Sequence, residues 1–138
     1  YTLSRRVLFR SGRQVFPYVE ITVLSVKDPA RPNANPYVVK NVEKARHRFV
    51  RTRIRLKSLG KESFGFSTYD FKAVDEQGQR YDPDSQVFEP ALGNGSVDLT
   101  NGDKATGYLG FQLPDKAKLT EIRFSGASSD DPIIWKVK

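Results

Sequence analysis

From Phe49 to Lys57 the chain alternates without a break. Val50, Thr52, Ile54 and Leu56 fall on one side of an extended strand, and Arg51, Arg53, Arg55 and Lys57 on the other. A period of two with opposite chemistry on the two sides marks a strand with one buried and one solvated face. The four cations stand about 6–7 Å apart, twice the rise per residue, so their face cannot be core. The same alternation recurs elsewhere. In Val15–Lys27, Val19, Ile21 and Val23 oppose Glu20, Thr22 and Leu24. Further on, Ala105, Gly107, Leu109, Phe111 and Leu113 alternate with Lys104, Thr106, Tyr108, Gly110 and Gln112 until Pro114 ends the run. Leu119–Phe124 reads as another strand, and Ile133, Trp135 and Val137 share one side of the last.

Between these runs the residues are turn formers. Asp28–Asn35 holds two Pro, two Asn and one Asp and reads as a loop. Tyr37–Val42 reads as a short strand, and Glu43–Arg46 as a helical turn or a charged connection. Ser58–Lys61 is a turn before Phe64 and Phe66. Glu76–Gln79 closes a hairpin from Phe71 to Tyr81, and Thr100–Asp103 is the next turn. Asp82–Gly95, broken by Pro83, Pro90, Gly93 and Gly95, reads as an extended loop. About seven strands with turns at roughly 8–12 residue intervals and no helical period predict an all-β fold. The expected architecture is an immunoglobulin-like, two-sheet antiparallel β-sandwich over residues 15–138, with residues 1–14 as an N-terminal extension or edge strand.

Composition supports sheets over bundles, because nine Phe, six Tyr and one Trp place the apolar mass in rings. With no Cys there is no disulfide framework, thiolate metal site or cysteine nucleophile. With no Met, even at position 1, the sequence implies an upstream segment: a cleaved signal, a lipid-anchored leader or a trimmed chain. No run approaches the roughly 18 apolar residues that would span a membrane as a helix. The net charge of +7 is unevenly spread. Residues 1–69 carry 15 Lys and Arg against 4 Asp and Glu, whereas residues 70–138 carry 8 against 12. A basic half can steer the protein to anionic partners; alternatively, basic and acidic strands pair across the sheets.

Several segments resemble one known family in their order and spacing. They are Phe49-Val50-Arg51-Thr52-Arg53-Ile54-Arg55-Leu56, Tyr69–Asp75, Gly78–Tyr81, Leu99–Pro114 and Ile133-Ile134-Trp135, with Val19–Lys27 as first strand. The family consists of bacterial secreted proteins and lipoproteins carrying an immunoglobulin-like domain of unknown function. It is often mislabelled telomeric repeat-binding factor, and it is similar in fold to the mycobacterial immunoprotective extracellular antigen. The resemblance implies a secreted or cell-surface location, a lipid anchor upstream and no catalytic residues to carry across. The chain departs from the family pattern at Lys57-Ser58, at Asn101-Gly102 and in the longer connection Asp28–Arg46, which makes that connection the place for features specific to this protein.

Candidate chemistry is sparse. His47 is the single histidine and cannot by itself supply a zinc site. No Gly-x-Ser-x-Gly elbow accompanies it, and Gly60-Lys61-Glu62 is not a phosphate-binding loop. Asp70, Asp75, Asp82, Asp84, Asp130 and Asp131 lack the spacing of a calcium loop and read as solvated turn carboxylates. Asn94-Gly95-Ser96 matches a glycosylation acceptor but is first a turn. No catalytic residue, cofactor or metal ligand is expected, and the protein is not expected to be an enzyme. The one putative site is an anion-binding strip of Arg51, Arg53, Arg55 and Lys57, extended by Arg46 and Arg48. The expected role is a non-enzymatic accessory or ligand-binding domain for an anionic envelope polymer or a protein partner. The alternatives are a spacer without a ligand and a basic strand that binds nucleic acid or an anionic surface; for nucleic acid, a recognition helix and base-reading groups are lacking.

Overall fold

A computed structural model describes residues 3–11, 14–32, 36–58, 64–84, 88, 90–92, 96–99, 102–125 and 133–137. Its strands are β1 (Leu3–Ser11), β2 (Gln14–Lys27), β3 (His47–Ser58), β4 (Phe64–Ser67), β5 (Phe71–Asp75), β6 (Arg80–Tyr81), β7 (Pro83–Asp84), β8 (Ser96–Leu99), β9 (Lys104–Pro114), β10 (Leu119–Phe124) and β11 (Ile133–Lys136). An α-helix, α1 (Pro36–Lys44), lies between β2 and β3, and a 3-10 turn, Thr68–Asp70, leads into β5. The larger sheet runs β1-β2-β3-β9-β7 and the smaller β11-β10-β5-β6, while β4 and β8 pair separately. The named strands pair antiparallel, with one parallel bridge from Ala91 to Tyr108. This is the expected immunoglobulin-like β-sandwich, with short edge pieces raising the strand number above seven.

The predicted alternation of β3 is realised. Val50, Thr52, Ile54 and Leu56 are fully buried, and Arg53 and Arg55 are exposed. On β9, Leu109, Phe111 and Leu113 point the same way, and Ile21 and Val23 do so on β2. The smaller sheet answers with Phe71, Ala73, Ile122, Phe124 and Trp135, all in one core cluster. Phe71 and Phe124 are register partners, and their rings pack with centroids 4.8 Å apart. Burying each such side chain stabilises by about 1.5–3 kcal/mol, so the core is the overlap of the two alternating faces. Thr22 departs from the pattern, since it belongs to the outer face and is nevertheless buried.

Two sequence expectations are corrected here. Tyr37–Val42 is helical rather than extended. Pro36 takes the first helical position, where its missing N–H is not needed, and Val39 and Val42, one helical turn apart, line the same cleft. Val42 packs with Ala30, Phe49 and Phe88. The chain turns out of the helix two residues past its end at Arg46, which takes φ 58° and donates its amide to the Glu43 carbonyl at 3.0 Å. The expected loop Asp82–Gly95 contains β7 and the Ala91 bridge, so part of it completes the larger sheet; residues 85–87, 89 and 93–95 lie outside the described residues. So do parts of the expected turns Ser58–Lys61 and Thr100–Asp103.

Asp75, expected as a solvated turn carboxylate, is instead buried and locks the β5–β6 hairpin. Asp75 accepts the backbone amides of Gln77 and Gln79, both at 2.9 Å, and the Tyr81 hydroxyl at 2.8 Å. Burial alone would raise the Asp75 carboxyl, but these donors outweigh it and hold it below its ordinary value. The Tyr81 hydroxyl is raised by burial and by Asp75.

The pair therefore stabilises the fold from above the ordinary aspartate pKa of about 4 to below the ordinary tyrosine pKa of about 10. That stability disappears as pH falls through the depressed Asp75 value or rises through the elevated Tyr81 value. Urea melts across pH should show the acid-side loss shrinking in Asp75→Asn and the alkaline loss shrinking in Tyr81→Phe; unchanged profiles would remove the pair from the account. At the centre of β3, the buried Thr52 hydroxyl has no hydrogen-bond partner among the described residues. Thr52→Val should raise stability by about 1 kcal/mol in chemical denaturation, whereas Ile54→Ala should lower it by about 2–5 kcal/mol.

Candidate anion-binding face and adjoining cleft

The register of β2, β3 and β9 decides what surrounds the arginine row. Lys27, Ser25, Thr22 and Glu20 lie opposite Arg51, Arg53, Arg55 and Lys57 on one side. Gly110, Tyr108, Thr106 and Lys104 lie opposite the same four on the other. Six cations thus share the described outer face of β2, β3 and β9: Lys27, Arg51, Arg53, Arg55, Lys57 and Lys104. Two carboxylates accompany them: Glu20, in register with Lys57, and Asp84 of β7, in register with Gly110. Two cross-strand pairs, Lys27 with Arg51 and Lys57 with Lys104, set like charges opposite one another, an arrangement that is unfavourable by itself. Among the described residues, none of these six cations makes an ion pair with a carboxylate.

At one end the face is bounded by rings. The Arg51 guanidinium carbon lies 4.8 Å from the Tyr108 ring centre and 5.9 Å from that of Phe88. Phe88 meets Phe49 edge-on at 6.3 Å. The segment after β7 can come this close because β9 offers glycines. A Cβ on Gly110 would lie 2.9 Å from the Phe88 ring, and one on Gly107 would lie 2.5 Å from the Leu92 amide nitrogen. Phe88 is thereby held against the outer face and Leu92 in the core.

Arg46 and Arg48 do not extend the row. Arg48 has the parity of the inward residues and reaches to Asp28 and the turn after β9, and Arg46 precedes the strand in a left-handed conformation. Arg48 Nε donates to Asp28 Oδ1 at 2.6 Å, and its Nη2 to Asp28 Oδ2 at 3.0 Å and the Ala117 carbonyl at 2.7 Å. Nη1 donates to the Pro114 carbonyl. The hydrogen bonds to Asp28 raise the guanidinium pKa against partial burial, so the charge is retained and already matched. This clasp ties the end of β2, the start of β3 and the turn after β9 together.

Beside the clasp, α1 and the segment Pro29–Pro32 enclose a cleft of about 640 Å³. Its apolar lining includes Ala30, Val39, Val42 and Phe49, and its polar lining includes Lys27, Arg31, Glu43 and His47. The Gln112 amide donates to His47 Nδ1 at 2.8 Å, which leaves the proton of a neutral ring on Nε2. The sequence singles out the connection Asp28–Arg46 but not a cleft, since Tyr37–Val42 carries the pattern of a short strand rather than of a helix. Lys27 and Lys104 were also missed as flanks of the row, because their placement depends on strand order. Among the described residues, no group of three or more His, Asp or Glu could hold a metal ion. None of their helices is long and apolar enough to cross a membrane.

Residues 15–133 match the model of a family described as a domain of unknown function, DUF4352. No curated protein matches the chain. Among solved structures, the secreted protein MPT63 of Mycobacterium tuberculosis is similar with TM-score 0.68 and 14% identity, over 96% of this chain and 92% of that one. The Bacillus subtilis yjhA protein is similar with TM-score 0.59 and 17% identity, over 96% of both chains. A putative lipoprotein, ycdA, of Bacillus subtilis is similar with TM-score 0.61 and 11% identity, over 87% of this chain and 36% of that one. At these identities the likeness is one of fold.

Removing the clasp should be costly because Asp28 and two carbonyls lose their donor together. Arg48→Met should lower stability by about 2–4 kcal/mol in denaturant melts, and an effect under about 0.5 kcal/mol would show that the clasp is dispensable.

Proposed function

Taking as premise that this chain belongs to the DUF4352 family, we propose that it is a non-enzymatic, extracytoplasmic binding domain whose larger sheet captures an anionic polymer. The location is carried by analogy with fold relatives described as a secreted protein and a putative lipoprotein. The binding reading rests on one observation: six cations share a sheet face with two carboxylates, and two cross-strand pairs within it set like charge against like charge. A sheet selected for stability alone would set opposite charges across from each other. An external polyanion supplies the missing counter-charge.

The row fits a linear ligand better than a compact one. Arg53 and Arg55 lie in its middle and are exposed, with guanidinium forks suited to phosphate, sulfate or carboxylate groups. Arg51 is held by Tyr108 and Phe88 and loses less side-chain freedom on binding. Among the described residues, the face carries no groups arranged for acid, base or nucleophilic work, which supports a binding role.

Binding of this kind weakens with salt as counter-ions compete. Retention on immobilised heparin and on a glycerol-phosphate polymer should fall steeply between low and high salt. In Arg53→Gln/Arg55→Gln the dependence of log affinity on log salt should flatten by about one to two. Equal retention of the double variant and the wild type would overturn the reading, and a wild type that binds neither polymer would favour a spacer.

A further inference from the structure

The cleft beneath α1 and the cationic face meet at Lys27. This residue lines the cleft, and it is also the register partner of Arg51 at the end of the row. Phe49 is likewise shared, since it lies on the outward side of β3 two residues before Arg51 and forms part of the cleft lining. A cationic track therefore leads to an apolar recess. The recess is within the roughly 300–1,000 Å³ typical of small-molecule sites, and its lining includes Ala30, Val39, Val42 and Phe49.

The charges at the cleft are not equivalent. Arg48 is neutralised by Asp28, with which it pairs, and Asp115 stands beside them as one of the two acids of the lining. Lys27 and Arg31 are exposed and have no carboxylate partner among the described residues, and Glu43 on α1 is the remaining acid of the lining. Together with Arg51 next door, the mouth toward the row is cationic and the interior apolar. That combination suits a molecule with an anionic head and a hydrocarbon tail.

We propose that the cleft between α1 and Pro29–Pro32 binds the alkyl chain of a monomeric anionic amphiphile, with the head held by Lys27, Arg31 and Arg51. The proposal rests on the anion-binding reading for the head alone; the apolar cleft carries the tail. A tail held here leaves the rest of the row free for further anionic groups on the same molecule.

The test is calorimetric titration of the full chain with butyl, hexyl and octyl phosphate, each kept below its micelle concentration. Affinity should rise about three- to fourfold for each methylene that enters the cleft. Octyl glucoside, which lacks the charge, should bind at least tenfold more weakly than octyl phosphate. Val39→Asp should abolish the chain-length dependence while leaving heparin retention unchanged. If Val39→Asp does not fold by circular dichroism, Val39→Trp, which fills the recess, should have the same effect. Lys27→Gln/Arg31→Gln should weaken all three phosphates several-fold and keep the dependence on length. An affinity independent of chain length, or equal binding of octyl glucoside, would overturn the proposal. So would sedimentation with vesicles of anionic lipid in the absence of any monomer binding. These results leave heparin retention untouched, so failure of the cleft and failure of the anion-binding face are separately visible.

Discussion

The alternation of β3 is the constraint from which the rest follows. The strand lies in the middle of the larger sheet, between β2 and β9, and its two sides demand different environments. Burying Ile54 and Leu56 forces Arg53 and Arg55 outward, because a shift of one residue would place guanidinium groups in the core and branched aliphatics in water. The smaller sheet supplies the apolar face that covers the inner side. The same register that builds the core thus sets the cations in a row on the outer face, where none of them pairs with a carboxylate among the described residues.

The ends of β3 are handled differently from its middle. At its start, Phe49 faces outward and is buried because α1 and the segment carrying Phe88 lie over it, forming a small second core on the outer side. Arg48, one residue earlier, would be an uncompensated charge at the mouth of the main core without Asp28 and two backbone carbonyls to accept its donors. Local packing therefore converts one end of the face into a recess and leaves Arg53 and Arg55 exposed.

Much of this was legible in the residues. The strands β2, β3, β9, β10 and β11 follow from period two, and the hairpin Phe71–Tyr81 from its turn residues, because a half-buried strand writes its burial into the sequence. The helix was not legible. Tyr37–Val42 carries two adjacent valines in a segment too short for helical period to dominate, and the contacts of Val42 with Ala30 and Phe49 come from tertiary structure. Arg48 was grouped with its basic neighbours because sequence proximity is blind to which side a residue turns. Lys27 and Lys104 join the cationic face only once strand order is known, and no local pattern encodes that order. The uneven charge of the two halves was visible, but the question of whether acidic strands cover the basic ones is decided by pairing: β3 is flanked by β2 and β9, which bring lysines as well as Glu20.

The absence of cysteine allows a direct test of the sidedness of β3. Single substitutions Arg53→Cys, Ile54→Cys, Arg55→Cys and Leu56→Cys place a unique thiol at each position, and the rate of reaction with a thiol reagent under native conditions reads its access. Positions 53 and 55 should react at nearly the rate of the unfolded chain, and positions 54 and 56 only on unfolding, slower by orders of magnitude. Similar rates at all four positions, or protection at 53 and 55 with fast reaction at 54 and 56, would contradict the account.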